Sequence, residues 1–578
     1  MCGIIGLVSK DEFSVRDELL KCLARLEYRG YDSWGYAAYD GAVVKRVGGI
    51  GNNTKGITDM KTTVAISHTR WATHGEVTQS NAHPHSNSKK TIFAVHNGII
   101  INNRQIKERL MKKGYKFVSE TDSEIIPHYF DYMLSKGKSM KEAICSFISE
   151  IEGTFAIVLF RKGDPHLYAI KRDSPLVLGL YDGKGILASD IYAFSDKTNK
   201  AVFFDDDEFA VLGMDSYRFY NKSGKLVRKK VCGFEWSREE EKLKHYKHYM
   251  IKEIKEQPSA SKRLIDSFST IQKDRLIRFA KLIRMASRVV FVGAGTSYHA
   301  SLIGVSLLNK LGIESHTIIA SEFESFMLVD DKTLVIAISQ SGETMDVVTV
   351  IKDVLKKGAT VASIVNVPYS TIQRYSKLSI EICAGQEVCV ASTKTFTNQL
   401  ITLFAIAAYL GVKEFDLATI PDKIEKTIKT NEGKVRKLAR ELYRKKDIFV
   451  LGKGVSYPMA REIALKLKEI PYIHAEGMMA GELKHGTIAL VEKGTPVISL
   501  IPNENVDMLS STREVEARGA RSIIISNTDG ELHIPKSGDA EFAIYSGIIG
   551  HLLSYYIARL KNLPIDKPRN LAKSVTVR

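Results

Sequence analysis

An internal repeat constrains the fold of the C-terminal two thirds of this chain. Apolar segments run into glycine turns at Gly293 and again at Gly452, which lies 159 positions later. Two further anchors repeat at spacings of 160 and 162 positions: Glu322 with Glu482, and the apolar segment from Thr333 with that from Thr495. Three anchors at nearly one spacing indicate a duplicated domain.

Both copies alternate apolar strands with amphipathic helices. This pattern predicts a parallel, doubly wound α/β sheet that binds ligands at the carboxyl ends of its strands. Gly293 and Gly295 are arranged as at the start of a dinucleotide fingerprint, but Tyr298 occupies the place of the third glycine. We therefore do not assign a dinucleotide site.

The two copies differ in one loop. Residues 338–344 of the first copy read Ile-Ser-Gln-Ser-Gly-Glu-Thr, whereas residues 501–506 of the second read Ile-Pro-Asn-Glu-Asn-Val. Hydroxyls and backbone amides that lead into a helix form an anion site, although such loops also serve as simple helix caps. Because Thr296 and Ser297 follow the preceding strand, we expect the first copy alone to bind phosphate.

The second residue of the chain is a cysteine. Removal of the initiator methionine would leave a thiol and a free α-amino group on Cys2. An α-amino group titrates near pH 7.7 and can take the proton of the thiol, which is how N-terminal nucleophiles are activated. The alternative is an ordinary buried cysteine of a strand.

Polar residues follow the apolar strands of the N-terminal third, so we expect them at strand ends. The predicted strands are residues 4–8, 64–67 and 91–95, and the polar groups are residues 68–75, 96–98 and 120–124. The guanidinium of Arg70 matches a carboxylate, and Asp122 can hold an ammonium group. Asn97 and the Gly98 amide offer two donors to a developing oxyanion. Together these groups suit a small amino acid.

Five histidines lie among or near these groups: His68, His74, His83, His85 and His96. They indicate either a metal cluster or plain hydrogen-bonded side chains. The His83-Pro84-His85 segment lacks the spacing of ligands on a helix, and no Cys or Asp partners it, so we predict no metal site.

Together with residues 26–33, these N-terminal features resemble the class II glutamine amidotransferase domain, an N-terminal-nucleophile αββα sandwich. The resemblance implies that Cys2 is nucleophile and base, and that Asn97 and Gly98 form the oxyanion hole. It assigns glutamine binding to Arg29, Arg70, Trp71, Thr73, His74 and Asp122, with Trp71 gating the path of ammonia. Trp34 stands where that family has a small residue, and we expect it to crowd a surface near the site.

The duplicated half resembles the SIS domain, present twice, whose loops hold the phosphate of a ketose phosphate. The resemblance assigns phosphate binding to Ser339, Gln340, Ser341 and Thr344, and completes the pocket with Thr296, Ser297, Val390 and Ala391. In the second copy, Lys466 and Glu469 share one face of a predicted helix, where a carboxylate can move protons between sugar carbons. The alternative is a surface helix with charge pairs.

The last residues resemble the end of the isomerising glutamine:fructose-6-phosphate aminotransferase family. Residues 568–577 read Pro-Arg-Asn-Leu-Ala-Lys-Ser-Val-Thr-Val, and the resemblance spans essentially the whole chain. It implies that Lys573 forms a Schiff base, that His485 assists ring opening, and that Glu469 with Lys466 handles isomerisation. It also implies L-glutamine and fructose 6-phosphate as substrates, no cofactor, and a homodimer through the SIS domains. Three departures, Ala294, Cys389 and Thr487, bear on substrate choice.

Length and composition fit this assignment. The 578 residues suffice for several domains, and no apolar run reaches the length of a membrane span; the longest, residues 400–412, predicts a buried helix. We find no signal peptide, and six scattered cysteines argue against disulfides and structural zinc, so we expect a cytoplasmic protein. The net charge of +17 is spread along the chain, which argues against nucleic-acid binding.

The expected organisation combines α+β and α/β domains. We expect an amidotransferase domain at 2–220, a linker and connecting helix at 221–278, SIS domains at 279–419 and 438–568, and a catalytic tail at 569–578. Two alternatives stay open: an amidotransferase for a related keto-sugar phosphate, and a sugar-phosphate-binding regulator, which would carry a helix-turn-helix. Enzymes with this amidotransferase domain that make asparagine or phosphoribosylamine need nucleotide or pyrophosphate motifs that the sequence lacks.

Overall fold

Two units make up the chain, and they are described separately. The first comprises residues 1–240 with 574–578, and the second residues 241–573. The structure is a computed structural model that describes residues 2–54, 57–72, 75–234 and 243–575, with only the backbone at 52 and 53. Thr73 and His74 therefore lie outside the described residues.

The first unit contains two antiparallel sheets. The eight-stranded sheet has the order β15-β11-β9-β10-β1-β4-β2-β3, and the seven-stranded sheet has the order β14-β13-β12-β8-β7-β6-β5. The strands are β1 (Gly3–Ser14), β2 (Ser33–Ala38), β3 (Val43–Val47), β4 (Lys61–Arg70), β5 (His85–Ser86), β6 (Ile92–Ile100), β7 (Gly153–Arg161), β8 (Asp164–Arg172), β9 (Val177–Tyr181), β10 (Lys184–Ala188), β11 (Lys200–Phe203), β12 (Glu208–Leu212), β13 (Tyr217–Tyr220), β14 (Leu226–Val227) and β15 (Cys232–Gly233).

Apolar side chains from both sheets form one core, which includes Val64, Phe93 and Val158. A second core joins the seven-stranded sheet to helices on its outer face. The helices of this unit are a π-helix (Val15–Leu20), α1 (Lys21–Ala24), α2 (Asn103–Met111), α3 (Ile125–Ser135) and α4 (Met140–Glu150), with 3₁₀ turns at Glu27–Arg29, Gly51–Thr54, Asp122–Glu124 and Ile191–Ala193. The predicted αββα sandwich is confirmed.

All three strands predicted in the first unit are longer than expected, and β1 runs from Gly3 to Ser14 instead of over residues 4–8. We expected the polar residues after positions 67 and 95 to lie beyond the strand ends, but β4 continues through Arg70 and β6 through Ile100. The neighbouring strands supply backbone partners along this length: Gly3 pairs with Thr69, and Asn97 pairs with Ala156. Polar side chains therefore project from regular strands, which hold them more rigidly than loops would.

We expected the amidotransferase domain to end at residue 220, but the first unit continues beyond that residue. β14 pairs with β13, and β15 pairs with β11, so that both sheets draw on residues beyond it. These strands are two residues long, too short to show an alternating apolar pattern. The connecting helix expected within residues 221–278 corresponds to α5 (Tyr249–Ser269), whose apolar face lies in the core of the second unit.

The second unit contains two five-stranded parallel sheets. Their orders are β17-β16-β18-β19-β20 and β22-β21-β23-β24-β25, the same arrangement twice. The strands are β16 (Arg288–Gly293), β17 (Ser315–Ile319), β18 (Thr333–Ser339), β19 (Thr360–Val365), β20 (Leu378–Glu381), β21 (Asp447–Gly452), β22 (His474–Met479), β23 (Pro496–Ile501), β24 (Arg521–Ser526) and β25 (Leu532–His533). The predicted duplication and doubly wound sheets are confirmed.

Helices cover both sheets: those on one face share a core that runs through both copies, and each copy has a separate core on its other face. Besides α5 they are α6 (Lys273–Met285), α7 (Thr296–Lys310), α8 (Phe323–Phe326), α9 (Met345–Lys356), α10 (Thr371–Tyr375), α11 (Lys394–Leu410), α12 (Ile420–Leu442), α13 (Tyr457–Glu469), α14 (Val506–Glu516) and α15 (Asp539–Leu560), with 3₁₀ turns at Ala320–Glu322, Leu417–Thr419, Gly454–Ser456, Glu482–His485 and Thr487–Leu490. Helix α11 is buried almost throughout, as predicted for residues 400–412. Within the described chain, no helix combines the length and the apolarity that crossing a membrane requires.

Candidate active sites

Cys2 stands at the start of β1, beside the end of β4. The Trp71 N–H donates to the Cys2 sulfur at 3.3 Å, and the Gly3 N–H donates to the Thr69 hydroxyl at 3.1 Å. Burial raises the pKa of the Cys2 thiol, while the Trp71 hydrogen bond and the Arg70 guanidinium oppose that rise. The thiol therefore needs a base before it can act as a nucleophile.

Asn97 is fixed directly beside Cys2. Its side-chain amide donates to the Cys2 carbonyl at 2.9 Å, and its oxygen lies 3.0 Å from His68 Nε2. Burial lowers the pKa of His68 to about 3, so its ring is neutral, and Nε2 carries the hydrogen because it also faces the His96 carbonyl at 3.0 Å. The second amide hydrogen of Asn97 remains for an oxyanion.

Gly98 follows Asn97 in β6 with a backbone that other residues rarely adopt. Its φ is +126°, and a Cβ at this position would lie 2.0 Å from the Thr154 carbonyl oxygen. Glycine is therefore required here for steric reasons alone. The predicted pair of donors, the Asn97 side chain and the Gly98 amide, occupies consecutive positions of one regular strand.

Arg70 and Asp122 are both buried and held by neighbouring groups. Arg70 donates to the Glu76 and Gly75 carbonyls at 3.0 and 3.2 Å, which ties it to the following loop. The Asp122 carboxylate accepts from the Ile100 N–H at 2.8 Å. Burial lowers the pKa of Arg70, opposed by the charges of Cys2, Asp32 and Asp122. The structure thus brings a fixed cation and a fixed carboxylate into the surroundings of Cys2.

Arg29 is engaged in a buried ion pair. Its guanidinium donates to Asp190 at 2.7 Å and to the Tyr28 hydroxyl oxygen at 3.1 Å. The Tyr28 hydroxyl itself donates to Asp190 at 2.7 Å. This network fixes the turn that precedes β2, and a contact of Arg29 with glutamine stays a prediction.

Trp71, the predicted ammonia gate, and Trp34, which departs from the family pattern, lie in different surroundings. Trp71 is partly exposed and packs edge-on against Tyr31, with ring centroids 5.5 Å apart. Trp34 is 0% exposed, so the expectation that it crowds a surface is wrong. It lies in β2 between β3 and β4, and every residue of β2 is buried. Strand β2 is covered on both faces, which its sequence alone does not reveal.

The buried histidines form a hydrogen-bonded cluster. The rings of His68 and His83 lie 4.0 Å apart, and those of His83 and His85 lie 4.6 Å apart. Burial lowers the pKa of all three well below the ordinary value, so they are neutral. His83 Nδ1 accepts the His96 N–H at 3.3 Å, and His85 Nε2 lies 3.1 Å from the Thr121 hydroxyl. In the described part of the chain, no three His, Cys, Asp or Glu side chains are arranged to hold a metal.

The loop predicted to bind phosphate joins β18 to α9. The Ser339 hydroxyl accepts the Gly342 N–H at 3.0 Å and lies 3.1 Å from the Thr344 hydroxyl. Gly342 has a φ of +65°, and a Cβ there would lie 2.0 Å from the Ser370 hydroxyl oxygen. Among the described residues, Thr344 begins α9 without a side-chain bond to the first turn. The N–H groups of that turn can therefore receive an anion.

The remaining predicted pocket residues lie in three loops. Gln340 and Ser341 belong to the same loop as Ser339, and Thr296 and Ser297 begin α7 after β16. These two loops leave the neighbouring strands at which the strand order reverses, where doubly wound sheets bind ligands. Val390 and Ala391 precede α11, and the Val390 N–H donates to the Asp566 carbonyl at 3.1 Å.

The second copy closes the equivalent places with its own side chains. Asn505 caps α14 by accepting the Met508 N–H at 3.0 Å. Ser456 is fully buried, and its hydroxyl donates to the Lys453 carbonyl at 2.8 Å. The asymmetry that the sequence predicted between the copies is therefore visible in their hydrogen bonds.

This asymmetry leads to a prediction for sugar-phosphate affinity. Ser341→Ala combined with Thr344→Ala should weaken the binding of a ketose phosphate at least tenfold, because each lost bond to a charged group costs about 1.5–3 kcal/mol. Ser456→Ala in the second copy is the matched control and should change the dissociation constant less than about twofold. Calorimetric titration of the purified variants measures both. Equal affinities in the two variants would contradict the assignment.

Helix α13 carries the predicted acid–base pair and a third residue that sequence reasoning missed. Lys466 lies 2.5 Å from Glu469 and 3.4 Å from Glu462, one helical turn earlier. Glu462 also accepts the Thr296 hydroxyl at 3.0 Å and lies 2.7 Å from His299 Nδ1, both from the first copy. Its spacing of four from Lys466 is the signal that could have indicated it.

Neighbouring charges keep Glu462 and Lys466 ionised. Burial alone would raise the pKa of Glu462, but Lys466 and His299 hold it at about 2. Burial alone would lower the pKa of Lys466, but Glu469 and Glu462 raise it above its ordinary value. Lys466 is therefore a permanent cation, which suits stabilisation of negative charge better than proton removal.

Lys573, the predicted Schiff-base lysine, and His485, the predicted ring-opening histidine, differ in burial. Lys573 is buried, and its ammonium contacts Glu387. His485 lies exposed on its 3₁₀ turn and forms no hydrogen bond or ion pair within the described residues. The structure thus does not join His485 to the α13 cluster or to Lys573.

Fold and sites define a two-unit enzyme: an N-terminal-nucleophile amidotransferase joined to a duplicated sugar-phosphate isomerase unit. The sequence profile of the glutamine amidotransferase domain matches residues 68–196, and that of the SIS domain matches residues 282–409 and 441–556. The cysteines of the chain are all free thiols.

Known proteins agree with this class over the full length. The chain is 40% identical to the glutamine–fructose-6-phosphate aminotransferases (isomerizing) of Thermococcus kodakarensis and Clostridium tetani, with complete coverage of both chains in each case. Among solved structures, it is similar to the C-terminal domain of glucosamine-fructose-6-phosphate aminotransferase from Francisella tularensis, with 32% identity, a TM-score of 0.51, and coverage of 57% of this chain and 99% of that one. The chain belongs to the glutamine–fructose-6-phosphate aminotransferase (isomerizing) family.

Proposed function

We propose that the protein forms glucosamine 6-phosphate and glutamate from fructose 6-phosphate and L-glutamine, the first step of hexosamine and UDP-N-acetylglucosamine synthesis. The observation that carries this proposal is the combination of two nucleophiles in one chain. Cys2 lies beside an amide donor in the amidotransferase unit, and Lys573 lies buried in the sugar-phosphate unit. The full-length similarity to the family supports the same reaction.

The first half-reaction releases ammonia at Cys2. The α-amino group of the processed Cys2 takes the thiol proton, and the sulfur adds to the side-chain carbonyl of glutamine. The Asn97 amide and the Gly98 N–H stabilise the oxyanion, while Arg70 and Asp122 hold the carboxylate and the ammonium of the substrate. Ammonia leaves, and water hydrolyses the thioester to glutamate. The resemblance to the family assigns glutamine binding to Trp71, Thr73 and His74 as well.

The second half-reaction takes place on the SIS unit. The loop from Ser339 to Thr344 binds the phosphate, and His485 assists opening of the sugar ring. The Lys573 amine condenses with the C2 carbonyl, and ammonia then replaces the lysine on C2. Glu469 moves a proton from C1 to C2, and the neighbouring Lys466 cation stabilises the enediol-like charge. The product carries an aldehyde at C1 and an amine at C2.

A homodimer in the cytoplasm is the form that we propose for the working enzyme. Several large apolar side chains of the second unit are more than two thirds exposed: Ile271, Met285, Phe326 and Leu328. These side chains are available for a subunit contact. The resemblance to the family supports a contact through the SIS domains.

The proposed reaction is tested by measuring both products. Purified protein is incubated with glutamine and fructose 6-phosphate, and glutamate and glucosamine 6-phosphate are quantified. We expect equal amounts of the two, and no amino sugar when either substrate is omitted. Glutamate release without any amino sugar, under conditions that saturate both sites, would refute the proposal.

Coupling between the two half-reactions gives a further prediction. Trp71→Ala should raise the ratio of glutamate to glucosamine 6-phosphate above one, because an open gate lets ammonia escape to water. Trp71→Phe keeps an aromatic ring and should stay near one. Neither change removes the Trp71 N–H that bonds Cys2. A ratio of one in both variants would show that this side chain does not retain ammonia.

A further inference from the structure

The surroundings of the tail lysine contain a carboxylate to which no role has been assigned. Glu387 lies in the segment between β20 and α11, and its carboxylate contacts the Lys573 ammonium. The Lys573 side chain is 3% exposed and that of Glu387 is 0% exposed. A buried ion pair with one partner in a chain terminus is unusual, because both groups lose their hydration. This pair therefore calls for a functional explanation.

Four donors at the start of α11 fix the Glu387 carboxylate. One oxygen accepts the Thr393 and Thr395 N–H groups at 2.8 and 3.2 Å and the Thr393 hydroxyl at 3.3 Å. The other oxygen accepts the Thr395 hydroxyl at 2.7 Å and faces Lys573. The amino end of a helix also favours negative charge. The carboxylate is thus fixed by the helix, and its position determines where the lysine ammonium rests.

A second buried carboxyl nearby does not compete for the lysine. Glu253 of α5 accepts the Val388 and Cys389 N–H groups at 2.5 and 3.2 Å, and its other oxygen has no partner among the described residues. Burial and the charge of Glu387 raise the pKa of Glu253 well above its usual range. Burial alone would also raise the pKa of Glu387, but Lys573 and the threonine donors hold it at about 2. One negative charge therefore faces one ammonium.

A neighbouring cation already has its own partner. Lys394, the first residue of α11, lies 3.1 Å from Glu256, and Lys252 lies 2.8 Å from the same carboxylate. Among the described residues, Lys573 is the cation that contacts Glu387. The Glu256 pair offers a comparison within the same helix interface.

We infer that Glu387 is the positioning residue for Lys573: it holds the lysine ready at the sugar site and takes its proton when the amine adds to the ketose. This inference rests on the proposed function. The proton moves from Nζ to the Glu387 carboxylate, and the freed nitrogen pair forms a bond to C2 as the carbonyl π pair moves to oxygen. That proton passes to the oxygen, and Glu387 then carries a second proton from the nitrogen to the same oxygen, which leaves as water as the protonated imine forms. Atoms and charges balance, and Glu387 is regenerated.

The test substitutes Glu387 with glutamine, which has the same shape and still accepts hydrogen bonds but carries no charge. Sodium borohydride traps fructose 6-phosphate on Lys573, and mass spectrometry of the tail peptide quantifies the adduct. We expect the trapping rate and the kcat of isomerisation to fall at least tenfold, with the KM for fructose 6-phosphate changed less than about twofold. Glu256→Gln, which removes a neighbouring buried carboxylate, should trap at a rate close to that of the wild type.

Controls separate a positioning role from loss of structure. Glucitol 6-phosphate has no carbonyl, so its binding reports the phosphate loop alone and should be unchanged in Glu387→Gln. If Glu387→Gln does not bind glucitol 6-phosphate, Glu387→Asp is used in its place, because aspartate keeps the charge on a shorter side chain. Glu387→Asp should form the trapped adduct more slowly than wild type but faster than Glu387→Gln.

The outcomes distinguish this inference from the proposed function. Equal trapping in wild type and Glu387→Gln would overturn the role of Glu387 and leave the reaction intact. A rate for Glu387→Asp no lower than that of wild type would do the same. If wild type itself forms no adduct at Lys573, the proposed function fails, whatever the variants show.

Discussion

Replacement of Cys2 with alanine is expected to reduce glutamine-dependent formation of glucosamine 6-phosphate by at least about 10⁴-fold, the order of loss seen when a catalytic nucleophile is removed. Isomerisation of fructose 6-phosphate to the aldose should remain measurable, because Lys573 and the α13 cluster belong to the other unit. Glutamate release and sugar isomerisation are assayed on the same preparation. Mass spectrometry of the amino-terminal peptide shows whether Met1 has been removed.

The matched control for this variant is Cys145→Ala. Cys145 is also a partly buried free thiol of the first unit, but it lies in α4. It should keep full amidotransferase activity. If Cys2→Ala used glutamine as well as Cys145→Ala does, the nucleophile would have to be sought elsewhere in the first unit.

Replacement of Lys573 with arginine should remove sugar turnover by three orders of magnitude or more, on the scale on which covalent catalysts fail without their nucleophile. Arginine keeps a cation opposite Glu387 but lacks an amine that condenses with a ketone. Lys573→Ala should be equally inactive, and glutaminase activity should persist in both. Aldose formation from fructose 6-phosphate, without glutamine, is the measurement.

Lys567→Ala is the control within the same segment, and it should keep sugar turnover. Substantial isomerisation by Lys573→Arg would show that the lysine acts through its charge and not through a covalent bond to the sugar. The difference in isomerisation rate between Lys573→Arg and Lys573→Ala then shows how much the ion pair with Glu387 contributes.

Much of the fold could be predicted because its signals are local or periodic. The repeat at Gly293 and Gly452 predicted two equal sheets, and the apolar run at residues 400–412 predicted a buried helix. The differing loops after β18 and β23 predicted which copy leaves a helix end open. In each case, neighbouring residues carry the information.

The rest depends on contacts between distant residues. Glu462 meets Thr296 across 166 positions, and Glu387 meets Lys573 across 186. Such pairs leave no periodic pattern, and each carboxylate by itself is typical of a solvated helix or loop. The burial of Trp34 depends likewise on strands that come later in the chain. Sequence reasoning predicted Cys2 and Lys573 as nucleophiles, but it did not predict the contact of Lys573 with Glu387.

The continuous apolar core of the second unit has a consequence for its cooperativity. Side chains from both copies, such as Phe396 of α11 and Ile463 of α13, belong to the same buried cluster. Glu462 of α13 in the second copy also accepts the hydroxyl of Thr296, the first residue of α7 in the first copy, at 3.0 Å. We therefore expect that neither copy folds on its own, because separation would expose the shared surface to water. Although the sequence is duplicated, we expect the pair to melt and refold in one cooperative transition.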